Sequence, residues 1–315
     1  MQFRWGSLSA GLEHYWHLDL DQWRFYIVSM RVLIITGGET GERSVSLKSA
    51  AAVRAWISSF ADSEVLLWPE QRASLKEWIQ DFDIVIPMIH GQGGEDGELQ
   101  RALIKNNARY LFSSPHVHEV CLDKKRTKLL VKDLVRVPRE YSEDRYHLPM
   151  VVKNSTGGSS LNTYIIKQEE DLKGLNLTGQ LLEEYVDGRE FTVGVIELEE
   201  GPVALPVVEI IAKGFFDHQQ KYNKENLAKE ICPADIAEEL TRDLKQLAVE
   251  IHSRVGARHL SRIDFLVTAE GEIVFLEINT IPGLTETSLV PKALTVAKID
   301  ISALIQFWID NARKI

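Results

Sequence analysis

Cysteine is almost absent from this chain: only Cys121 and Cys232 occur in 315 residues. Two thiols cannot make a disulfide framework or a zinc-finger ligand set, and such sparse use suits a reducing, cytoplasmic setting. No apolar run approaches the roughly 20 residues of a membrane span. A basic excess is missing as well. Lysine plus arginine number 36 against 46 aspartate plus glutamate, a formal charge of −10. That argues against nucleic acid or a membrane surface as partner, while leaving room for a local basic pocket. The GxxxxGK[ST] phosphate loop is lacking too, so a nucleotide site here has to be of another type. The chain also has no internal repeat and no low-complexity segment.

What is present is ordinary globular material, 44% hydrophobic and 26% charged, at a length that predicts two or three domains. Residues 1–29 stand apart. They hold Trp5, Trp16 and Trp23, three of the seven tryptophans, without a clear period. They lack the basic start, apolar middle and small-residue cleavage site of a signal peptide. His14 and His17 lie far from any acid cluster and are read as incidental rather than as metal ligands. The pattern changes at Met30, where the folded unit is expected to begin, with 1–29 a dispensable extension.

From Met30 onward, strand-like and helix-like stretches alternate. Val32–Thr36, Val65–Trp68 and Asp83–Ile89 read as buried strands, separated by helices over Ser44–Ile57 and Ser74–Gln80. Val45, Ala52, Val53 and Trp56 are available for a packed face on the first helix. Continuous apolar strands between helices predict a parallel sheet covered on both faces, in a first unit over residues 30–114. A second unit, 115–186, begins with a charged helix at Leu122–Leu134. It continues through strands at Met150–Lys153, Thr163–Ile166 and Leu181–Val186. A third, 187–315, carries strands at Glu190–Glu197, Val203–Ile211, Ile263–Thr268 and Ile273–Ile278. Its long helix repeats Ile236, Leu240, Leu244, Leu247, Ile251 and Val255.

The chemistry concentrates in a few places. Asp264 sits on one apolar run and Glu277 on another, with Asn279 two positions further on. Strand periodicity puts Glu277 and Asn279 on one face. If the runs pair, three oxygen-bearing side chains converge, a donor set suited to Mg²⁺ shared with nucleotide phosphates. Acids at strand ends are also common as solvated edges. The apolar setting speaks against that, with Ile263, Phe265 and Val267 on one run and Val274, Leu276 and Ile278 on the other. Gly157-Gly158-Ser159-Ser160 follows Lys153, and a glycine-serine loop can wrap an anion with backbone N–H groups, although it is also what a plain turn looks like. Lys153 and Lys124 would add point charges to the same anion. Leu182-Glu183-Glu184-Tyr185-Val186, then Glu190, fits a hinge offering backbone and carboxylate to a purine, or equally a solvated acidic turn. Two more loops follow parallel strands, one carrying Glu42 and Arg43 and one running from His90 through Glu95. Ligands bind beyond the carboxyl ends of such strands.

Together these stretches resemble the D-alanine–D-alanine ligases of the ATP-grasp superfamily. The resemblance runs from Met30 to near the end of the chain. It rests on GGETGERSVSL at 37–47, HGQGGEDGELQ at 90–100, GGSS at 157–160 and EEYVDGREFTV at 183–193. KY at 221–222, SRIDF at 261–265 and LEINTIPGLTETSLVP at 276–291 complete it. It implies a three-domain ATP-grasp fold, α/β and α+β, with nucleotide between the central and C-terminal domains. The implied activity is ATP-dependent joining of two D-alanines through an acyl phosphate for peptidoglycan precursors, in a cytoplasmic homodimer. Carried onto this chain, Glu42, linked through Ser159 to Tyr222, would hold the first D-alanine's ammonium, with His90 near its carboxylate. Lys124 and Lys153 would bind ATP phosphates, Glu183 and Val186 the adenine and Glu190 the ribose, with Glu184 and Lys221 also in the ATP site. Asp264, Glu277 and Asn279 would bind two Mg²⁺ or Mn²⁺ ions. Arg262 and the Gly283 N–H would stabilise the tetrahedral oxyanion, and Ser288 and Leu289 would meet the second D-alanine.

The chain departs from the family pattern at Asn154, at Leu161-Asn162 and at Phe112-Ser113-Ser114-Pro115. His116, His118 and Cys121 near the last of these are read as structural, and Cys232 as a buried apolar residue. A closing lid is expected over 215–230, because an acyl phosphate needs protection from water. Tyr222 favours an amine acceptor over D-lactate in the family pattern. Two rival readings remain at this level: a ligase for other amino acids or a peptide, and a nucleotide-binding protein whose bound state regulates a partner.

Overall fold

The computed structural model describes residues 30–157, 163–211 and 229–312. The extension 1–29, most of the glycine-serine loop including Ser159, and most of the expected lid with Lys221 and Tyr222 lie outside the described residues.

The apolar run after Met30 forms β1 (Met30–Gly37), buried from Val32 onward. Helix α1 (Arg43–Ile57) leads to β2 (Ala61–Trp68), and α2 (Leu75–Gln80) to β3 (Ile84–Met88). These strands make the expected parallel sheet, in the order β2-β1-β3. Strand β2 starts four residues before the apolar run at Val65, because Ala61–Glu64 pair with Met30–Leu33; polar residues at a sheet edge lose nothing by extending a ladder. The buried stripe of α1 is Ser46, Ser49, Ala50, Val53 and Ile57, whereas Val45, expected in the packed face, is 41% exposed. The stripe is turned because both serines are needed inward as hydrogen-bond partners of His90.

Helix α3 (Glu98–Lys105) follows the His90 loop, and two helices replace the single one expected near residue 122: α4 (Pro115–Leu122) and α5 (Lys124–Val131). Asp123 separates them. Its backbone is extended and its carboxylate accepts from the N–H groups of Lys125 and Arg126 at 3.0 and 3.2 Å, capping α5. Ser114 caps α4 ahead of Pro115, so the divergent Phe112–Pro115 stretch is a helix start.

Strands β4 (Glu140–Tyr141), β5 (Met150–Asn154), β6 (Tyr164–Ile166) and β7 (Gln180–Glu184) form a small antiparallel sheet, β4-β7-β5-β6. The larger sheet comprises β8 (Arg189–Leu198), β9 (Gly201–Ala204), β10 (Val208–Ile211), β11 (Lys229–Ile231), β12 (Leu260–Val267) and β13 (Ile273–Asn279). Its order is β11-β10-β8-β12-β13, with β9 on β8. The expected single strand Val203–Ile211 is therefore two. Pro206 has no N–H for a ladder, and around it Leu205 N–H donates to Gly194 O and Val207 O accepts from Ala234.

Between the last two strand pairs runs α6 (Glu238–Val255), which buries Leu244, Ala248, Ile251 and Val255 against Phe191, Val193, Ile263, Phe265 and Phe275. Helices α7 (Leu289–Ala297) and α8 (Ile301–Asn311) return to the first sheet. Val32, Ile34 and Ile84 share one core with Leu294, Leu304, Ile305 and Trp308, and Ser302 donates to the Trp56 carbonyl at 2.8 Å. The other face of that sheet packs Leu33, Ile35, Leu66 and Trp68 with Leu75, Leu99 and Leu103. Among the described residues, no helix is long and apolar enough to cross a membrane.

Phe275 is fully buried and meets Phe265 edge-on, ring centres 6.5 Å apart. Phe275→Ala is expected to lower stability by about 3–5 kcal/mol, read as a lower urea midpoint with an unchanged slope.

Candidate active site

Antiparallel pairing of β12 with β13 sets Asp264 opposite Glu277 and Arg262 opposite Asn279. With strand period two, all four side chains share one face. A bulge between Asp264 and Phe265 alters the apolar set on β13: Val274 and Ile278 are buried as expected, but Phe275 joins the core with Ile278 while Leu276 stays half-buried. The extra residue reverses the alternation N-terminal to Glu277, and it leaves the polar face at Glu277 and Asn279 intact.

On that face Arg262 grips Asp264 with two parallel hydrogen bonds, Nε to Oδ1 at 3.0 Å and Nη2 to Oδ2 at 2.9 Å. Thr192 Oγ1 and Asn279 Nδ2 also donate to Asp264, at 2.5 and 3.1 Å. Burial works against the Arg262 charge, but Asp264, Glu277 and Glu95 outweigh it and hold the guanidinium proton more tightly. Burial likewise opposes the charged form of Glu277, and Lys124 with Lys153 overrides it, keeping that carboxyl below the usual range.

Helix α5 supplies two ammonium groups one turn apart, which places them on one face. Lys124 Nζ lies 3.0 Å from Glu277 Oε2 and donates to Gly157 O at 2.6 Å, while its N–H donates to Ser155 O at 2.8 Å. One turn on, Lys128 Nζ donates to Glu183 Oε1 on β7. Lys153 on β5 reaches the other oxygen of Glu183 at 2.8 Å. The acidic face of the large sheet and the lysine-bearing face of the small one thus look into one cleft, lined by Glu95, Lys124, Gly157, Glu277 and Asn279.

Loops from the first sheet close the far side. Glu42 is the N-cap residue of α1, and its carboxylate lies against Gly91, whose φ of +72° and lack of a side chain leave the space. Burial, then Glu95 and Glu277, push Glu42 up to about 7. His90 is buried, with Nε2 3.0 Å from Ser49 Oγ and Nδ1 2.7 Å from Ile281 O. Burial lowers its pKa, with Glu95 opposing, which favours a neutral ring donating through Nδ1. Glu95 accepts from Thr280 N, Ile281 N and Gly91 N at 2.8–2.9 Å, fastening the His90 loop to the chain after β13. His118 is buried with Nδ1 2.7 Å from Thr280 Oγ1, and burial pushes its pKa down to about 3. Gly283 and Ser288 meet in the next loop: a Cβ on Gly283 would come within 2.9 Å of Ser288 Oγ. That hydroxyl also accepts from Thr285 N at 3.1 Å.

The remaining expected residues scatter about this centre. Glu184, adjacent to Glu183, projects oppositely and is held by Arg136 at 2.5 Å. Val186 follows β7, half-buried, and Glu190 lies on β8 opposite Leu266 and Ile210. Leu289 opens α7 and packs on the core. Lys128, Thr192, Ser49 and Glu95 were not singled out from the sequence as site residues. Only the i,i+4 spacing of Lys124 and Lys128 could have signalled one of them.

Two carboxylates and an amide oxygen on one strand-pair face are hard donors suited to a divalent cation. Among the described residues no group of three or more His, Cys, Asp or Glu is arranged as a metal site. The third donor is an asparagine, and Lys124 and Arg262 already neutralise the two acids. The donor set fits Mg²⁺ or Mn²⁺ in chemistry.

Two antiparallel sheets facing across a lysine-lined cleft, beside a parallel-sheet unit, define the ATP-grasp class of fold. The family model described as "D-ala D-ala ligase C-terminus" matches residues 121–310. The D-alanine–D-alanine ligase of Aquifex aeolicus is 35% identical over 89% of this chain and 100% of its own length. That of Thermotoga petrophila is 33% identical over 90% and 97%. The crystal structure of D-alanine–D-alanine ligase from Bacillus anthracis superposes with a TM-score of 0.76 at 25% identity, covering 89% of this chain and 96% of that one. The chain belongs to the D-alanine–D-alanine ligase family.

Because Glu42 titrates near 7 in the fold against an ordinary 4.5, its neutral form is the one folding favours. The stability this lends is full below about 4.5 and lost as pH rises through about 7. The stability difference between wild type and Glu42→Gln, from urea titrations at pH 5, 6, 7 and 8, should move against the wild type with rising pH. A flat or opposite trend would contradict the environment described for Glu42.

Proposed function

We propose that this protein joins two D-alanine molecules into D-alanyl-D-alanine at the expense of ATP, supplying a cell-wall precursor. The observation that carries this reading is the shared face of Arg262, Asp264, Glu277 and Asn279 beside Lys124. Membership of the ligase family supports it. The three sheets fall one each within 30–114, 115–186 and 187–315, which supports assigning first-substrate binding to the first and nucleotide binding to the cleft between the other two.

In this reading Lys124 and Lys153, with Lys221, hold the ATP phosphates. Glu183 and Val186 meet the adenine and Glu190 the ribose, with Glu184 in the same ATP site. Asp264, Glu277 and Asn279 would hold two divalent cations, Mg²⁺ or Mn²⁺, which neutralise charge on a transferring phosphoryl group. Glu42, linked through Ser159 to Tyr222, takes the first D-alanine's ammonium, with His90 near its carboxylate. A carboxylate oxygen of that D-alanine attacks the γ-phosphorus and ADP departs, leaving an acyl phosphate. The second D-alanine, bound by Ser288 and Leu289, attacks the acyl carbon through its free amine. Arg262 and the Gly283 N–H take the developing oxyanion, and phosphate leaves as the amide forms. One fixed oxyanion donor is worth about 3 kcal/mol in such steps. Water would destroy the acyl phosphate, and the segment 215–230 is assigned as the lid. A homodimer in the cytoplasm completes the proposal.

ADP and phosphate release are measured with D-alanine, L-alanine, D-serine and D-lactate as separate acceptors. Turnover stimulated by D-alanine alone is expected; nucleotide hydrolysis indifferent to every acceptor would overturn the reading. Asp264→Asn and Glu277→Gln are each expected to cut that turnover by roughly 10²-fold or more, as loss of transition-state charge stabilisation does, while the circular-dichroism spectrum remains that of the folded protein.

A further inference from the structure

Glu183 is buried to 2% exposure, yet it carries two ammonium groups, Lys128 on one oxygen and Lys153 on the other. The two lysines differ in where they come from. Lys153 stands on β5, four residues before Gly157, and so borders the loop assigned to the phosphates. Lys128 comes from α5, is 6% exposed and has Glu183 as its ion-pair partner. Its neighbour one turn earlier, Lys124, is engaged on the other sheet with Glu277.

A carboxylate buried this deeply cannot lose all its cationic partners without a large desolvation penalty. If Lys153 alone compensated Glu183, turning it toward a phosphate would strand the charge. We propose that Lys128 is the positioning residue for nucleotide recognition: it keeps Glu183 ionised and fixed against the base while Lys153 transfers to the phosphates. This rests on the nucleotide assignment of Glu183 and Lys153 given above, and adds Lys128 to it. Burial first, then the adjacent Lys153, pull the Lys128 ammonium down to about 7, with Glu183 opposing. Two ammonium groups on one carboxylate are therefore one more than the site holds comfortably. Removing Lys153 to a phosphate relieves that crowding, and α5, capped by Asp123 and anchored through Thr127 Oγ1 to Val120 O at 2.8 Å, keeps Lys128 in place.

The test compares wild type with Lys128→Met, Lys128→Arg, Glu183→Gln and the double variant Lys128→Met/Glu183→Gln in the full chain. Lys128→Met should raise KM for ATP tenfold or more while kcat at saturating ATP and KM for D-alanine stay within about threefold. Lys128→Arg should recover most of the loss. Direct binding of a non-hydrolysable ATP analogue by calorimetry should weaken by a similar factor. That readout needs no turnover, so a failed ligase assignment with an intact Lys128 effect is recognised as such. Should Lys128→Met alone not fold, the double variant still reports, since it strands no buried carboxylate. Its analogue affinity should equal that of Glu183→Gln alone, because a residue acting through Glu183 has nothing left to do once that charge is gone. A further tenfold loss in the double variant, or an unchanged KM for ATP in a folded Lys128→Met, would overturn the proposal.

Discussion

Compensation of buried charge is the constraint on which the rest of this molecule depends. Asp264, Glu277, Glu183 and Glu95 point inward from three strands and a loop, and each is met by a cation or by a fan of N–H donors. Bringing carboxylates together costs several kcal/mol per ion unless partners are fixed beforehand. The scaffold fixes them on rigid strands and on the first turns of α5. Charges held this way repel one another and attract cations, a balance that the proposed binding of a polyanion with its counter-ions would use.

Helix α5 is the mechanical centre of the arrangement. It is short, spanning Lys124–Val131, and is capped by Asp123. From one face it reaches Glu277 on the large sheet and Glu183 on the small one. The cleft walls are thus tied together through a pair of ammonium groups as well as by apolar packing. The Glu95 fan does the same work at the other border, joining the loop after β3 to the chain after β13. Three separately formed sheets are registered to one another by ion pairs and N–H groups at their edges.

Legibility from the sequence varied with the kind of contact involved. The strand after Met30, the shared face of Glu277 and Asn279 and the long helix over Glu238–Val255 follow from local periodicity and were readable. Where a single residue interrupts a pattern, reading failed: Asp123 divides one expected helix, Pro206 divides one expected strand, and the bulge at β13 exchanges Leu276 for Phe275 in the core. The rotated face of α1 failed for a different reason. Ser46 and Ser49 are inward because His90, more than forty residues away, needs them.

The sequence alone determined that the chain is an ordinary alternating globular protein, with acids set in apolar strands and glycines in the loops between elements. Its motif set also placed it among ATP-grasp ligases, since periodicity and short motifs are properties of neighbouring residues. Only the tertiary structure decided that Lys128 and Lys153 share Glu183, that Glu95 clasps Thr280 and Ile281, and that α8 completes the core of the first sheet. Those contacts join residues 30 to 280 positions apart. Their partners are chosen by burial and charge balance in the assembled fold, which no local stretch of chain encodes.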